Sequence, residues 1–129
     1  MSKLRKLFTL KIMDINLQTT NLDYLEEISG GDNSFKKELI QIFLSQIPEF
    51  VQNMNKFLAE KNLPDLAKEA HTAKSSVLIF RMEETGKLLK NIQLTAENNQ
   101  TGPIAEMIRA VETDMQNAAK ELTEIINGM

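Results

Sequence analysis

The stretch DNSFKKELIQIFLSQIPEFVQNMNKFL, residues 32–58, decides the fold class. Its apolar residues Phe35, Leu39, Ile42, Phe43, Ile47, Phe50, Val51, Met54, Phe57 and Leu58 recur at the 3.6-residue spacing of a helix face. Asp32 or Asn33 supplies the side-chain oxygen that caps the orphan amides of the first turn. Pro48 falls inside the run and removes one amide donor. Because the apolar pattern resumes in phase beyond it, a kink is predicted rather than an end. A helix this long cannot bury its apolar face alone, so other amphipathic segments must cover it.

The flanking sequence supplies them. Upstream, Leu22, Leu25 and Ile28 predict a short helix over 21–29, which Gly30-Gly31 stops. Downstream, Asn62-Leu63-Pro64-Asp65 reads as a helix start: a cap, a first-turn proline and an acid at the positive end. Leu63, Leu66, Ala70, Ala73, Val77 and Phe80 continue that helix inward. A fourth is predicted over 83–97, with Leu88, Leu89 and Ile92 inward. Asn98-Asn99-Gln100-Thr101-Gly102 then breaks the chain and Pro103 restarts it. Ile104, Met107, Ile108, Val111, Met115, Ala118, Leu122 and Ile125 run to a stop at Asn127-Gly128. No segment alternates with period two, and there is no repeat or low-complexity linker. The expectation is an all-α fold, an antiparallel four-helix bundle with a short N-terminal helix over 15–129, preceded by a loosely docked extension over 1–14.

Composition narrows the function. A chain of 129 residues with 42% apolar content builds one core. The absence of cysteine removes disulfides, thiolate metal sites and cysteine nucleophiles. Acids and bases are interspersed around a net charge of −3, so no basic stripe serves nucleic acid. Lys3, Arg5, Lys6 and Lys11 resemble the start of a signal peptide, but no long apolar run follows. No stretch approaches the roughly 18 apolar residues of a membrane span. A weak interfacial helix at Leu4, Leu7 and Phe8 is the lesser reading of the N-terminus, and Met13 offers an alternative start. The expected setting is cytoplasmic. The start at Met1 and the lack of a linker-like tail favour a free-standing protein, with a monomer as the default.

The sequence holds one histidine, His71, in Ala70-His71-Thr72-Ala73-Lys74-Ser75-Ser76. At about 100° per residue it falls roughly 125° from the centre of the apolar arc, so it points outward with Lys68, Thr72, Ser75 and Ile79. Lys74 and Ser75, at i+3 and i+4, are its neighbours on the helix surface. Lys74 places a cation where the oxygens of a phosphoryl group on the imidazole would lie. Ser75 is small enough for a partner's active site to approach, and its hydroxyl can donate to those oxygens. Leu78 and Ile79, a turn further on, suggest a docking patch beside a lone polar nucleophile.

The segment resembles the signature of histidine-containing phosphotransfer (HPt) domains, His-x-x-Lys-(Gly/Ser)-(Ser/Ala) on the third long helix of a bundle. Tyr24-Leu25-Glu26-Glu27-Ile28-Ser29-Gly30-Gly31-Asp32, with Phe35, Glu38-Leu39-Ile40, Phe43-Leu44 and Pro48, is similar to the family's lead-in. The resemblance covers about residues 15 to 95. It implies that His71 is the phospho-acceptor, Lys74 the electrostatic partner of the phosphate and Ser75 the close-approach position. Lys68, Thr72, Leu78 and Ile79 would then face a partner receiver domain. This chain would carry no cofactor, since magnesium is expected in the receiver. Two positions depart from the pattern. Ala73 stands where the family usually has a large aliphatic, and Arg81 where it commonly has a glycine. The same angular estimate points Arg81 toward the core, so that it must snorkel or distort the last turn.

On this reading the protein is a phosphotransfer intermediate in two-component signalling, taking a phosphoryl group from one receiver aspartate and passing it to another. It is not an autonomous kinase, because there is no Gly-x-x-x-x-Gly-Lys loop. A bundle di-metal site needs Glu-x-x-His pairs, and Lys68 stands three before His71. The adjacent carboxylates Glu26-Glu27 and Glu83-Glu84 splay apart as solvated surface. The rival is a helical docking module that binds a signalling partner and is never phosphorylated, with Ala73 and Arg81 marking its drift from transfer.

Overall fold

The computed structural model describes residues 19–129. The expected extension over 1–14, with its Leu4, Leu7 and Phe8, lies outside the described residues. Among the described residues five helices follow in order: α1 (Asp23–Ser29), α2 (Asn33–Ala59), α3 (Leu63–Ile79), α4 (Glu83–Glu97) and α5 (Ile104–Asn127). There is no strand among the described residues. The caps read from the sequence close where expected. Asp32 accepts from the Phe35 amide, Asn62 from the Asp65 amide, and α2 runs unbroken through Pro48. Helices α2, α3, α4 and α5 close a ring, each packed on two others, and α1 leans on α2. Short connections make each long helix antiparallel to the next, which is the expected four-helix bundle. Among the described residues no helix is long and apolar enough to cross a membrane.

Helices α2, α3 and α4 end alike. Lys61, Arg81 and Asn99 take left-handed φ values of 56°, 55° and 58°. The following amides of Asn62, Met82 and Gln100 donate back to the carbonyls of Phe57, Val77 and Thr95 at 2.8, 3.2 and 3.0 Å. Each turn satisfies carbonyls that a helix end otherwise strands. This corrects the inward direction expected for Arg81. The hand of the backbone reverses there, so an angle extrapolated along α3 no longer applies. Arg81 is exposed, with its guanidinium 5.2 Å from the centre of the Tyr24 ring. A left-handed turn at this position also accounts for a preference for glycine.

Core formation follows the predicted faces, with one rotation. Met54, Leu66, Leu89, Ile92, Ile108, Met115 and Leu122 are fully buried, and the Phe43 and Phe80 rings stack at 4.6 Å. Phe35 and Ile42, predicted inward, are 41% and 46% exposed, whereas Ile40 is buried. The inner arc at the start of α2 is therefore turned toward Lys36 and Ile40. Lys36 is itself buried, with its ammonium paired to Glu26 of α1, as a buried charge requires.

The first described residues are clamped to α5. The Thr19 and Thr20 amides donate to the Glu121 carboxylate at 2.8 and 2.9 Å, and the Thr20 hydroxyl donates at 2.7 Å. Next to it, the Asn21 amide donates to the Phe80 carbonyl at 2.9 Å, tying this segment to the end of α3.

Candidate functional site

Helices α3 and α4 are the most closely packed pair in the bundle. Small residues on the facing sides allow it: Ala67 of α3 is buried and shares the groove lining with Ala96 of α4. Ala73, one of the two departures from the HPt pattern, is buried in the core on the side of α3 that carries Phe80 toward Phe43 of α2. A further small residue on α4 is Gly86. A Cβ there would meet Leu78 Cδ2 at 3.0 Å and Lys74 Cγ at 3.8 Å. Both side chains thus lie across α4 where it has no side chain of its own.

His71 is exposed on the outer flank of this pair, as its angular position predicts. Its Nδ1 lies 3.3 Å from Oε1 of Gln93, which reaches over from α4. Gln93 in turn donates from Nε2 to Glu97 Oε2 at 3.3 Å. An acceptor facing Nδ1 selects the tautomer with its proton on Nδ1 and its lone pair on Nε2. The nitrogen farther from the backbone is then the free nucleophile.

Side chains on a helix lean toward its N-terminus, so Lys74 and Ser75 tilt back over His71. Ser75 is exposed, and its hydroxyl donates to the His71 carbonyl at 3.3 Å. Donation to a phosphoryl oxygen requires that hydroxyl to rotate away. Lys74 is half-buried, its stem against Gly86. Lys68 and Thr72 are exposed and line an open groove of about 690 Å³ with His71, Gln93 and Glu97. Leu78 is 41% exposed a turn past Ser75, whereas Ile79 is half-buried against the core. The structure therefore gathers Lys68, His71 and Thr72 on the groove and sets Lys74 and Leu78 over Gly86, with Ile79 turned partly inward.

Gln93, Glu97 and Gly86 were not singled out by the sequence. The first two carry only the faint signal of a polar pair at i and i+4. Their meeting with His71 depends on the register between two helices, which no single-helix pattern contains.

Residues 38–124, about two thirds of the chain, match the family model of the Hpt domain. The chain is also similar to the phosphorelay intermediate protein YPD1 of Candida albicans, 31% identical over 62 residues. That match covers 48% of this chain and 34% of the relative, so the chain spans about a third of that relative's length. No solved structure matches. The family match covers α3 with His71 and α4 with Gln93, the two helices that build the groove, and the chain belongs to the Hpt domain family.

Proposed function

We propose that the protein is a cytoplasmic phosphorelay intermediate that accepts a phosphoryl group on His71 from the aspartyl phosphate of one receiver domain and hands it to the aspartate of another. The observation that carries this reading is the exposed His71 ring, with Nδ1 facing the Gln93 oxygen and Nε2 left free. Phosphoryl transfer asks mainly for position and charge stabilisation. The Nε2 lone pair forms the N–P bond while the P–O bond to the aspartate breaks, and the aspartate leaves as a carboxylate. Lys74 and Lys68 flank the new phosphoryl group with positive charge, and Ser75 leaves room for the receiver's active site. Magnesium belongs to the receiver. The return reaction runs the same steps in reverse onto the second aspartate.

The YPD1 relative, a phosphorelay intermediate by name, supports the same reading. The rival docking module rested on Arg81 and Ala73. Arg81 sits in a turn outside the helix and Ala73 is buried in the core, and neither lines the groove around His71. The test is transfer from an aspartyl-phosphorylated receiver to the wild-type protein and to His71→Gln. The variant is expected to keep the fold and accept nothing; phosphate on the variant would remove His71 from its role.

A further inference from the structure

We infer that Glu97 is a positioning residue for the proposed transfer: it fixes which end of the Gln93 amide meets His71, and through it which ring nitrogen is the nucleophile. The inference rests on the phosphotransfer reading only for its kinetic consequence. A glutamine amide can present either its oxygen or its nitrogen to a neighbour, and the two ends have nearly the same shape. Presented to Nδ1, the oxygen favours the proton on Nδ1 and a free Nε2. The NH2 group would favour the reverse, with the proton on Nε2 and the lone pair facing into the groove wall. Gln93 alone contains nothing that chooses.

Glu97 makes the choice. Its carboxylate accepts and cannot donate, so the atom that faces it at 3.3 Å must be the Gln93 nitrogen. The oxygen is then the atom left for Nδ1, also at 3.3 Å. The two residues stand at i and i+4 on α4, where side chains meet on one face. Glu97 and His71 line the same groove, with Ala67 and Ala96 as its apolar floor. During the attack on phosphorus the Nδ1 proton stays on the ring, held by Gln93. It leaves to solvent once the phosphohistidine has formed.

The isolated 15N-labelled protein tests this without any receiver. With one histidine in the chain, two-bond 1H–15N correlations of the His71 ring read the tautomer without assignment. Above the imidazole titration, the wild type is expected to show the proton mainly on Nδ1. Glu97→Gln, whose side chain can donate as well as accept, releases the amide, and the ratio of the two tautomers shifts about fivefold toward the proton on Nε2. The Glu97→Ala, Gln93→Glu double variant has only acceptor oxygens at position 93, so it needs no orienting partner and returns the proton to Nδ1. A wild type with its proton on Nε2, an unchanged ratio in Glu97→Gln, or a double variant that fails to restore Nδ1 each overturns the inference. A tautomer series as expected, in a protein that accepts no phosphate, instead overturns the phosphotransfer reading and leaves the positioning role standing. With transfer active, the single-turnover rate of Glu97→Gln falls in proportion to its population with Nε2 free.

Discussion

Oε1 of Gln93 lies 3.3 Å from Nδ1 of His71, joining α4 to α3 across 22 residues of sequence at the one point where the bundle carries a nucleophilic imidazole. The contact holds the ring from its inner side and leaves its outer nitrogen to solvent. A histidine with only solvent around it favours the opposite tautomer, with its proton on Nε2, so the contact works against the intrinsic preference of the ring.

Gln93→Ala removes that contact without opening the core, since Gln93 is only half-buried on the flank. Its stability is expected within about 0.5 kcal/mol of wild type, as for most surface changes. The rate of phosphoryl acceptance drops about fivefold, matching the loss of one modest hydrogen bond. Chemical denaturation and single-turnover transfer measure the two quantities separately.

Lys74→Ala is expected to slow acceptance about fivefold while leaving the helix intact, because a unit charge near 4 Å contributes about 1 kcal/mol in a solvated site. The effect should shrink as ionic strength rises and screening takes over. A salt series of transfer rates for wild type and variant checks both points. Equal salt dependence in the two would show that Lys74 does not act by charge.

Lys61 and Arg81 both hold left-handed turns that a glycine would adopt freely. Lys61→Gly should therefore stabilise the protein by about 1 kcal/mol. Arg81→Gly gains a similar amount but loses the guanidinium stacked on Tyr24, worth about 0.5–1 kcal/mol at an exposed site. The net change at Arg81 is expected near zero, and the difference between the two variants isolates the stacking term in urea melts.

Glu121 gives the fold an acid sensitivity. Partial burial alone would raise its pKa, but the Thr20 hydroxyl and the Thr20 and Thr19 amides together outweigh that and hold it below the ordinary carboxylate value. A depressed folded-state pKa means the stabilisation is fully present above the unfolded pKa and is lost as pH falls through the folded one. Wild type should lose stability across that acid window, and Glu121→Gln should lack this part of the slope. Parallel slopes for the two proteins below about pH 4.5 would remove the clamp from the account.

Much of this was legible one helix at a time. The caps at Asp32 and Asn62, the bounds of α4 and the outward His71 follow from local chemistry and angular position. The phase at the start of α2 did not, because Leu39 and Ile40 are neighbouring apolar residues and only packing decides which turns inward. Arg81 was misdirected because a helical angle was carried past the residue where the backbone changes hand. Gly86, Gln93 and Glu97 gain meaning only from the α3–α4 register.

The most direct test of the central claim mixes the purified protein with an aspartyl-phosphorylated receiver and magnesium and follows the phosphorus by 31P NMR beside the His71 ring signals. The account predicts a phosphohistidine resonance with the phosphoryl group on Nε2, a shifted His71, and neither in His71→Gln. Stable binding to several phosphorylated receivers with no phosphohistidine in any of them would contradict it and make the protein a docking module.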